Sequence, residues 1–172
     1  MNWGDNLVTN GTLESFQGGN PNVPTGWTNY QSDAGELADE TTIVHEGSHS
    51  LHINVNAAAE GCYSNNYTIV AGIFKVSFWF YPITGTVRVW VAEGDGTILY
   101  NYDLSNWPGY AANTWLHFVD VRPNTVAGNS GSIWFYSQGG AANYYIDDVS
   151  VRRMGVEARN VEVRNYYYEG IS

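Results

Sequence analysis

Cysteine occurs once in these 172 residues, as Cys62, so no intramolecular disulfide can staple the chain. Lysine also occurs once, as Lys75, and strong helix formers are sparse. No stretch repeats apolar residues at a helical period, and Ala57-Ala58-Ala59-Glu60 is too short to sustain a helix alone. These shortages argue against a helical fold. Long apolar runs are missing too, which leaves no membrane-spanning helix, and Met1-Asn2-Trp3-Gly4-Asp5 lacks the basic and apolar parts of an export signal. The chain contains no G-x-x-x-x-G-K-S/T, no G-x-S-x-G and no Cys-x-x-Cys, so these routes to phosphate, acyl and dithiol chemistry have no sequence basis. Positive charge is scarce as well: residues 1–151 carry 14 acids against only Lys75, Arg88 and Arg122. Such an acidic body repels phosphate backbones, which argues against nucleic acid and leaves neutral glycans, cations and protein surfaces as partners.

What is abundant favours sheet. The chain holds 7 Trp, 13 Tyr, 6 Phe and 19 Gly, with many β-branched residues, and its length suits one domain with a real core. Short alternating runs separated by Gly, Asn, Asp and Pro predict strands at residues 6–9, 12–16, 42–45, 50–55, 62–70, 73–81, 86–92, 97–102, 115–121, 132–137 and 143–151, with a further run at 156–168. The clearest hairpin joins Val87-Arg88-Val89-Trp90-Val91 to Thr97-Ile98-Leu99-Tyr100 through Glu93-Gly94-Asp95-Gly96, which makes Asp95 a turn residue. The two ends of the body, Asn6-Leu7-Val8-Thr9 and Tyr144-Tyr145-Ile146-Asp147-Asp148-Val149-Ser150-Val151, alternate in the same way and are expected to lie together. After Arg153 the pattern changes. Val156-Glu157-Ala158-Arg159-Asn160 is echoed by Val161-Glu162-Val163-Arg164-Asn165 before Tyr166-Tyr167-Tyr168. The expected organisation is therefore a sandwich at 1–153 and an extended arm at 154–172, the arm adding a strand to a neighbouring subunit through Val161, Val163, Arg164, Tyr166, Tyr167 and Tyr168.

The order of motifs resembles carbohydrate-binding modules of the CBM4/9/22 type. Asn6-Leu7-Val8-Thr9-Asn10-Gly11-Thr12-Leu13-Glu14 is similar to that family's opening N-L-hydrophobic-x-N-G-x-x-E, and Gly26-Trp27 to its following G-W. Gly47-Ser48-His49-Ser50-Leu51-His52-Ile53 resembles G-x-x-S-L-x-hydrophobic, and Ile73-Phe74-Lys75-Val76-Ser77-Phe78-Trp79-Phe80 resembles its Y-x-h-S-F-W-h strand, with Phe74 in place of Tyr. Asn113-Thr114-Trp115 and Tyr145-Ile146-Asp147-Asp148-Val149-Ser150-Val151 complete the series, which spans about residues 6–153. The resemblance implies an all-β jelly-roll sandwich of the galactose-binding-like kind. It also implies a structural Ca²⁺ clamped between the chain ends by Glu14, by one aspartate of the Asp147-Asp148 pair, and by backbone near Gly47 and Ser48, with Asp147 at the family's position. Phage structural proteins carry sandwiches of this kind, so the fold does not dictate the task.

Period-two alternation places Lys75, Ser77, Trp79 and Tyr81 opposite Phe74, Val76, Phe78 and Phe80, and by the same parity turns Arg88, Trp90, Trp134 and Tyr136 outward. If these share one face, Trp79, Tyr81, Trp90, Trp134 and Tyr136 line a saccharide cleft rimmed by Arg88, Lys75 and Gln138. Each tryptophan also has an ordinary role as packing under a loop. Trp107 and Tyr110, in the long loop after Asp103, are further ligand or partner contacts. His45-Glu46-Gly47-Ser48-His49 matches H-E-x-x-H, but that zinc motif needs a helix and this segment is broken by Gly47-Ser48. The functional expectation is a non-catalytic, oligomeric or assembly-bound module of a phage virion surface or another extracellular assembly, a decoration or fibre component with glycan binding. The alternatives are a polysaccharide-binding module of a secreted glycoside hydrolase and a zinc- or carboxylate-dependent hydrolase.

Overall fold

The structure, a computed structural model, describes residues 3–155. Twelve strands occupy that span: β1 (Trp3–Asn6), β2 (Trp27–Tyr30), β3 (Leu37–Glu40), β4 (Ser50–Val55), β5 (Gly61–Ser64), β6 (Tyr67–Ile69), β7 (Gly72–Thr84), β8 (Val87–Ala92), β9 (Ile98–Asp103), β10 (Leu116–Asn124), β11 (Gly128–Ser137) and β12 (Ala142–Met154). They form two antiparallel six-stranded sheets stacked as a jelly-roll sandwich. The terminal sheet runs β10-β7-β12-β4-β3, with β1 also on β12; the second sheet runs β2-β5-β11-β8-β9, with β6 also on β11. The long strands β12 and β11 each take two short partners along one flank. β4 pairs with Ala142–Ile146 and β1 with Arg152–Met154, while β5 pairs with Trp134–Tyr136 and β6 with Gly128–Gly131.

The core follows from the alternation. Phe74, Val76, Phe78 and Phe80 of β7 are buried and meet Val87, Val89 and Val91 of β8 and Ile133 and Phe135 of β11 across the sandwich. Phe78 is central, stacked on Phe118 at 4.6 Å and edge-on to Phe135 at 4.9 Å. Burying a side chain of this size contributes about 1.5–3 kcal/mol, so the aromatic pattern of β7 both specifies the strand and drives its docking. Cys62 is fully buried among these residues, and burial pushes its thiol well above the ordinary range.

The two ends of the body do lie together: Trp3 pairs with Met154, Asn6 with Arg152, and the Leu7 N–H donates to the Val151 carbonyl. The expected strand at 6–9 is shifted, because pairing covers residues 3–6 and Asn6 then turns its side chain into the ladder. Its Oδ1 accepts from Val151 N at 3.0 Å and its Nδ2 donates to Val149 O at 2.9 Å. The expected strand at 12–16 does not form, since Asn10 and Leu13 both adopt left-handed φ and only Phe16 makes an isolated bridge, to Pro24. Gly11 packs so closely on the Val149 carbonyl that a side chain there would overlap it. Residues 42–45 form a loop rather than a strand, with pairing supplied instead by β3, and β2 was not anticipated. The run 62–70 divides into β5 and β6 at Asn65-Asn66. The run expected at 156–168, like Val161, Val163, Arg164, Tyr166, Tyr167 and Tyr168, lies outside the described residues.

The β8–β9 hairpin forms as expected, and Asp95 is a turn residue: its carboxylate accepts from the Thr97 N–H at 2.9 Å and the Thr97 hydroxyl at 2.6 Å. Those bonds hold the Asp95 carboxyl below the ordinary carboxylate range.

Candidate functional site

The outward residues do not share one face. Trp79 and Tyr81 belong to β7 in the terminal sheet, whereas Arg88, Trp90, Trp134 and Tyr136 belong to β8 and β11 in the second sheet. Alternation states which side of a strand a residue occupies but not which sheet the strand joins, so the expected single cleft becomes two aromatic faces on opposite sides of the sandwich.

On the second sheet, register aligns Thr28, Tyr63, Trp134, Trp90 and Asn101 across five strands. Tyr63 stacks on Trp134 at 4.0 Å and Trp90 stacks on it at 5.0 Å. Because β5 and β8 flank β11 on opposite sides, both faces of the Trp134 indole are covered. On the outer sides of the row the cross-strand neighbours are not aromatic, Thr28 beside Tyr63 and Asn101 beside Trp90; both rings are half-buried, and the Trp90 indole nitrogen is buried with no hydrogen-bond partner among the described residues. Tyr30 closes the row edge-on to Trp134 at 5.1 Å, and Tyr136 stands edge-on to Trp90 at 6.3 Å. The Trp134 indole N–H donates to the Ser132 hydroxyl at 2.8 Å, which sets the plane of the central ring. Polar groups border the row: Arg88 Nε donates to Asp103 Oδ1 at 2.6 Å, and the Asp103 and Tyr136 contacts raise the guanidinium pKa further. Sequence reading missed Tyr30 and Tyr63, although the inward Trp27 and Cys62 already set the parity that turns both outward.

The terminal-sheet face is built differently. Trp79 pairs with His117 of β10, and the two rings stack at 4.4 Å. Across the other indole face lies His45, stacked at 3.8 Å and delivered by the loop between β3 and β4. Trp115 stands edge-on to both His45 and Tyr81, and Tyr81 is followed by Tyr145 and His52. Trp79 is thus enclosed between imidazoles, with no free ring face for a sugar. Desolvation against this stack, then Lys75 and His45, hold the His117 pKa below its ordinary value. Trp107 and Tyr110, expected as ligand or partner contacts, are half-buried and rest one side on the core: Trp107 lies 4.5 Å from Phe118 and its indole N–H donates to the His117 carbonyl at 3.1 Å, while Tyr110 lines a narrow cleft with Phe80 and Tyr144.

Glu14 and Asp147 reach the 45–49 loop from the two ends of the body. The Glu14 carboxylate accepts from Ser48 N at 3.1 Å and His49 N at 3.3 Å; Asp147 accepts from His45 N at 3.0 Å, Glu46 N at 3.2 Å and Asp148 N at 2.8 Å. Gly47, at φ 76°, packs so closely on Glu14 that a Cβ would overlap the carboxylate. Burial pushes the Asp147 carboxyl up to about 6, against the opposing pull of its amide donors. The H-E-x-x-H segment does not form a helix. His45 bonds Asp148 and His49 bonds Asp39, so the two imidazoles serve separate carboxylates.

No protein-family model matches the chain, nor does any curated protein sequence. Solved structures do resemble it. A family 16 carbohydrate-binding module superposes with TM-score 0.60 at 13% identity, covering 85% of this chain and 99% of the module. The CBM22-1 xylan-binding domain from Paenibacillus barcinonensis gives TM-score 0.59 at 15% identity, covering 89% of this chain and 97% of that domain. The enzymatically active domain of tailspike protein 4 from bacteriophage CBA120 gives 0.59 at 17% identity, covering 87% of this chain but only 21% of that one. The fold is therefore that of the carbohydrate-binding-module jelly rolls, the architecture the motif order implied.

Proposed function

We propose that this protein is a non-catalytic polysaccharide-binding module whose ligand lies on the outer face of the second sheet. The row Tyr63-Trp134-Trp90 carries the proposal, because it sets two aromatic rings beside polar side chains and borders them with groups that hydrogen-bond hydroxyls, on a fold shared with glycan-binding modules. Sugar C–H surfaces pack on Trp90 above Asn101 and on Tyr63 above Thr28, while Arg88, Asp103 and Tyr30 read the hydroxyls. Trp134 does not touch sugar; it spaces the two rings and holds them upright. The negative body favours neutral polysaccharide over anionic glycans. Isothermal titration against soluble xylan and galactan fragments tests the assignment. Trp90→Ala and Tyr63→Ala are expected to reduce affinity at least tenfold each, and unchanged affinity in both would remove the second-sheet face from consideration.

The module works as a structural or adhesion component of a larger assembly such as a phage virion surface, with residues 154–172 docking on neighbouring subunits. The likeness to a domain of a phage tailspike protein supports that context. Truncation after Met154 with assembly unchanged would refute the docking role. A structural Ca²⁺ held by Glu14, Asp147 and carbonyls of Gly47 and Ser48 belongs to the same proposal, supported by the approach of both ends of the body to one loop.

A further inference from the structure

The terminal-sheet face carries a second cluster that glycan binding does not use. Ligand atoms of His45, Glu46 and Asp148 all lie within 4.8 Å of one another. Glu46 and Asp148 line a concavity of about 280 Å³ shared with Asn6, Ser77, Trp79, His117 and Arg152 among others, and His45 adjoins it through Asp148 and Trp79. We propose that His45, Glu46 and Asp148 bind a divalent transition-metal ion there, with the remaining coordination positions open toward the concavity for water or an oxygen of a small ligand.

Three features of the backbone and packing bring these groups together. First, β12 bulges: Asp147 pairs with Trp79 and Ser150 with Ser77, so one extra residue enters the strand between them. Asp148 sits in that bulge at φ 51°, a conformation a non-glycine residue rarely adopts, and its carboxylate is re-aimed at the imidazole, 3.0 Å from His45 Nδ1. Asp147 next to it is fully buried under the loop backbone, so the adjacent carboxylates serve different neighbours. Second, the His45 ring is held in a fixed plane, face-on to Trp79 at 3.8 Å and edge-on to Trp115 at 5.5 Å. A rigid imidazole presents its nitrogen lone pair in one direction, which lowers the ordering cost of coordination. Third, the Glu46 carboxylate accepts no hydrogen bond and pairs with no Lys or Arg among the described residues, while Asp148 pairs with His45 alone.

The chemistry of the donors selects the ion. One imidazole nitrogen with two carboxylates suits Zn²⁺, Ni²⁺, Co²⁺ or Mn²⁺ better than Ca²⁺, which prefers an all-oxygen shell. Three protein ligands with open positions is the arrangement of a reactive or ligand-accepting site rather than a closed structural one. The contrast with Asp33, Glu36 and Glu60 is instructive, since those acids also gather within 4.8 Å. There Glu36 accepts from Asp33 N and from Asn56, and Glu60 accepts from Ala57 N, so these acids close the turns around them, and the group contains no imidazole to favour a transition metal.

The test uses the tag-free chain, stripped of metal and titrated with ZnCl₂, NiCl₂ or CaCl₂ alone by calorimetry and by tryptophan fluorescence. One equivalent of Zn²⁺ or Ni²⁺ is expected to bind, Ni²⁺ quenching emission through its proximity to Trp79. His45→Ala, Asp148→Asn and Glu46→Gln are each expected to weaken binding at least tenfold, with His49→Ala leaving it within twofold. Because Glu46 makes no side-chain hydrogen bond among the described residues, Glu46→Gln reports on the ion even if changes at His45 or Asp148 disturb the fold. Absence of saturable transition-metal binding overturns the proposal. So does binding that survives both His45→Ala and Glu46→Gln, or that is lost with Glu14→Gln while Glu46→Gln leaves it intact.

Discussion

The two outer faces of this sandwich arise from the same alternation and end with different chemistry. On the second sheet a tryptophan meets aromatic neighbours on both flanking strands, and the row ends beside the polar side chains of Thr28 and Asn101. On the terminal sheet a tryptophan meets two imidazoles, one from a strand and one from a loop, and a carboxylate lies behind one of them. One face offers apolar planes bordered by hydrogen-bonding groups, the other offers nitrogen and oxygen donors beside a polar concavity. A count of exposed tryptophans would rate them alike. What a ring stacks on decides whether it remains available to a ligand.

Trp134→Ala is expected to break the contrast most severely. It removes the partner of both Tyr63 and Trp90 and should destabilise the protein by about 2–3 kcal/mol, below the range for a fully buried tryptophan because this one is half-buried. Glycan affinity falls with it while Ni²⁺ binding at the opposite face persists, as paired denaturation and titration curves will show. Next in size is calcium. At a free concentration a hundred times Kd, an ion at Glu14 and Asp147 adds about 2.7 kcal/mol; chelation should then lower the melting temperature, and Glu14→Gln should abolish that dependence. A smaller loss, about 1–2 kcal/mol, is expected for Trp79→Leu, which forfeits stacking on one half-buried and one exposed imidazole. Oligosaccharide affinity should survive this change. If it collapsed while Trp90→Ala had no effect, the glycan face would be the terminal sheet.

The smallest effect concerns pH. His117 titrates below its ordinary value in the folded protein, so between that lowered pKa and about 6.5 the unfolded chain binds the extra proton and stability falls with acidification. The contribution is intact above 6.5 and diminishes as pH drops through this window. His117→Phe keeps a ring against Trp79 and should remove this contribution, read as the difference from the parent in denaturant midpoints between about pH 5 and 7.5, because Asp147, pushed up to about 6, titrates with the opposite sign in both proteins.

Much of this architecture is readable in the residue order. Phe74, Val76, Phe78 and Phe80 mark a half-buried strand with a particular inner side, and Asp95-Gly96 marks the β8–β9 hairpin, because side-chain parity and turn stereochemistry are local properties. The pairing of the two ends of the body is legible for a related reason, since Asn6 and the alternating Tyr144–Val151 segment carry complementary patterns. The expected cleft was not so readable. Trp79 and Trp90 have the same parity but belong to different sheets, and strand parity carries no information on sheet membership. Tyr63 is not singled out because the run 62–70 reads as one strand, and its break at Asn65-Asn66, which puts Tyr63 on a separate short strand beside Trp134, is set by pairing with β11.

Local stereochemistry and hydrophobic periodicity, which any short window of the chain already contains, were enough to specify an all-β body, its inner and outer residues and the meeting of its ends. The grouping of His45 with Asp148, 103 positions apart, required a bulge in β12 and a loop folded over the terminal sheet. Likewise the enclosure of Trp79 and the position of Trp90 at the end of its row depend on which strands flank them. Contacts of that range are set by sheet order and register, which emerge when all strands compete together for partners, so no segment read alone encodes them.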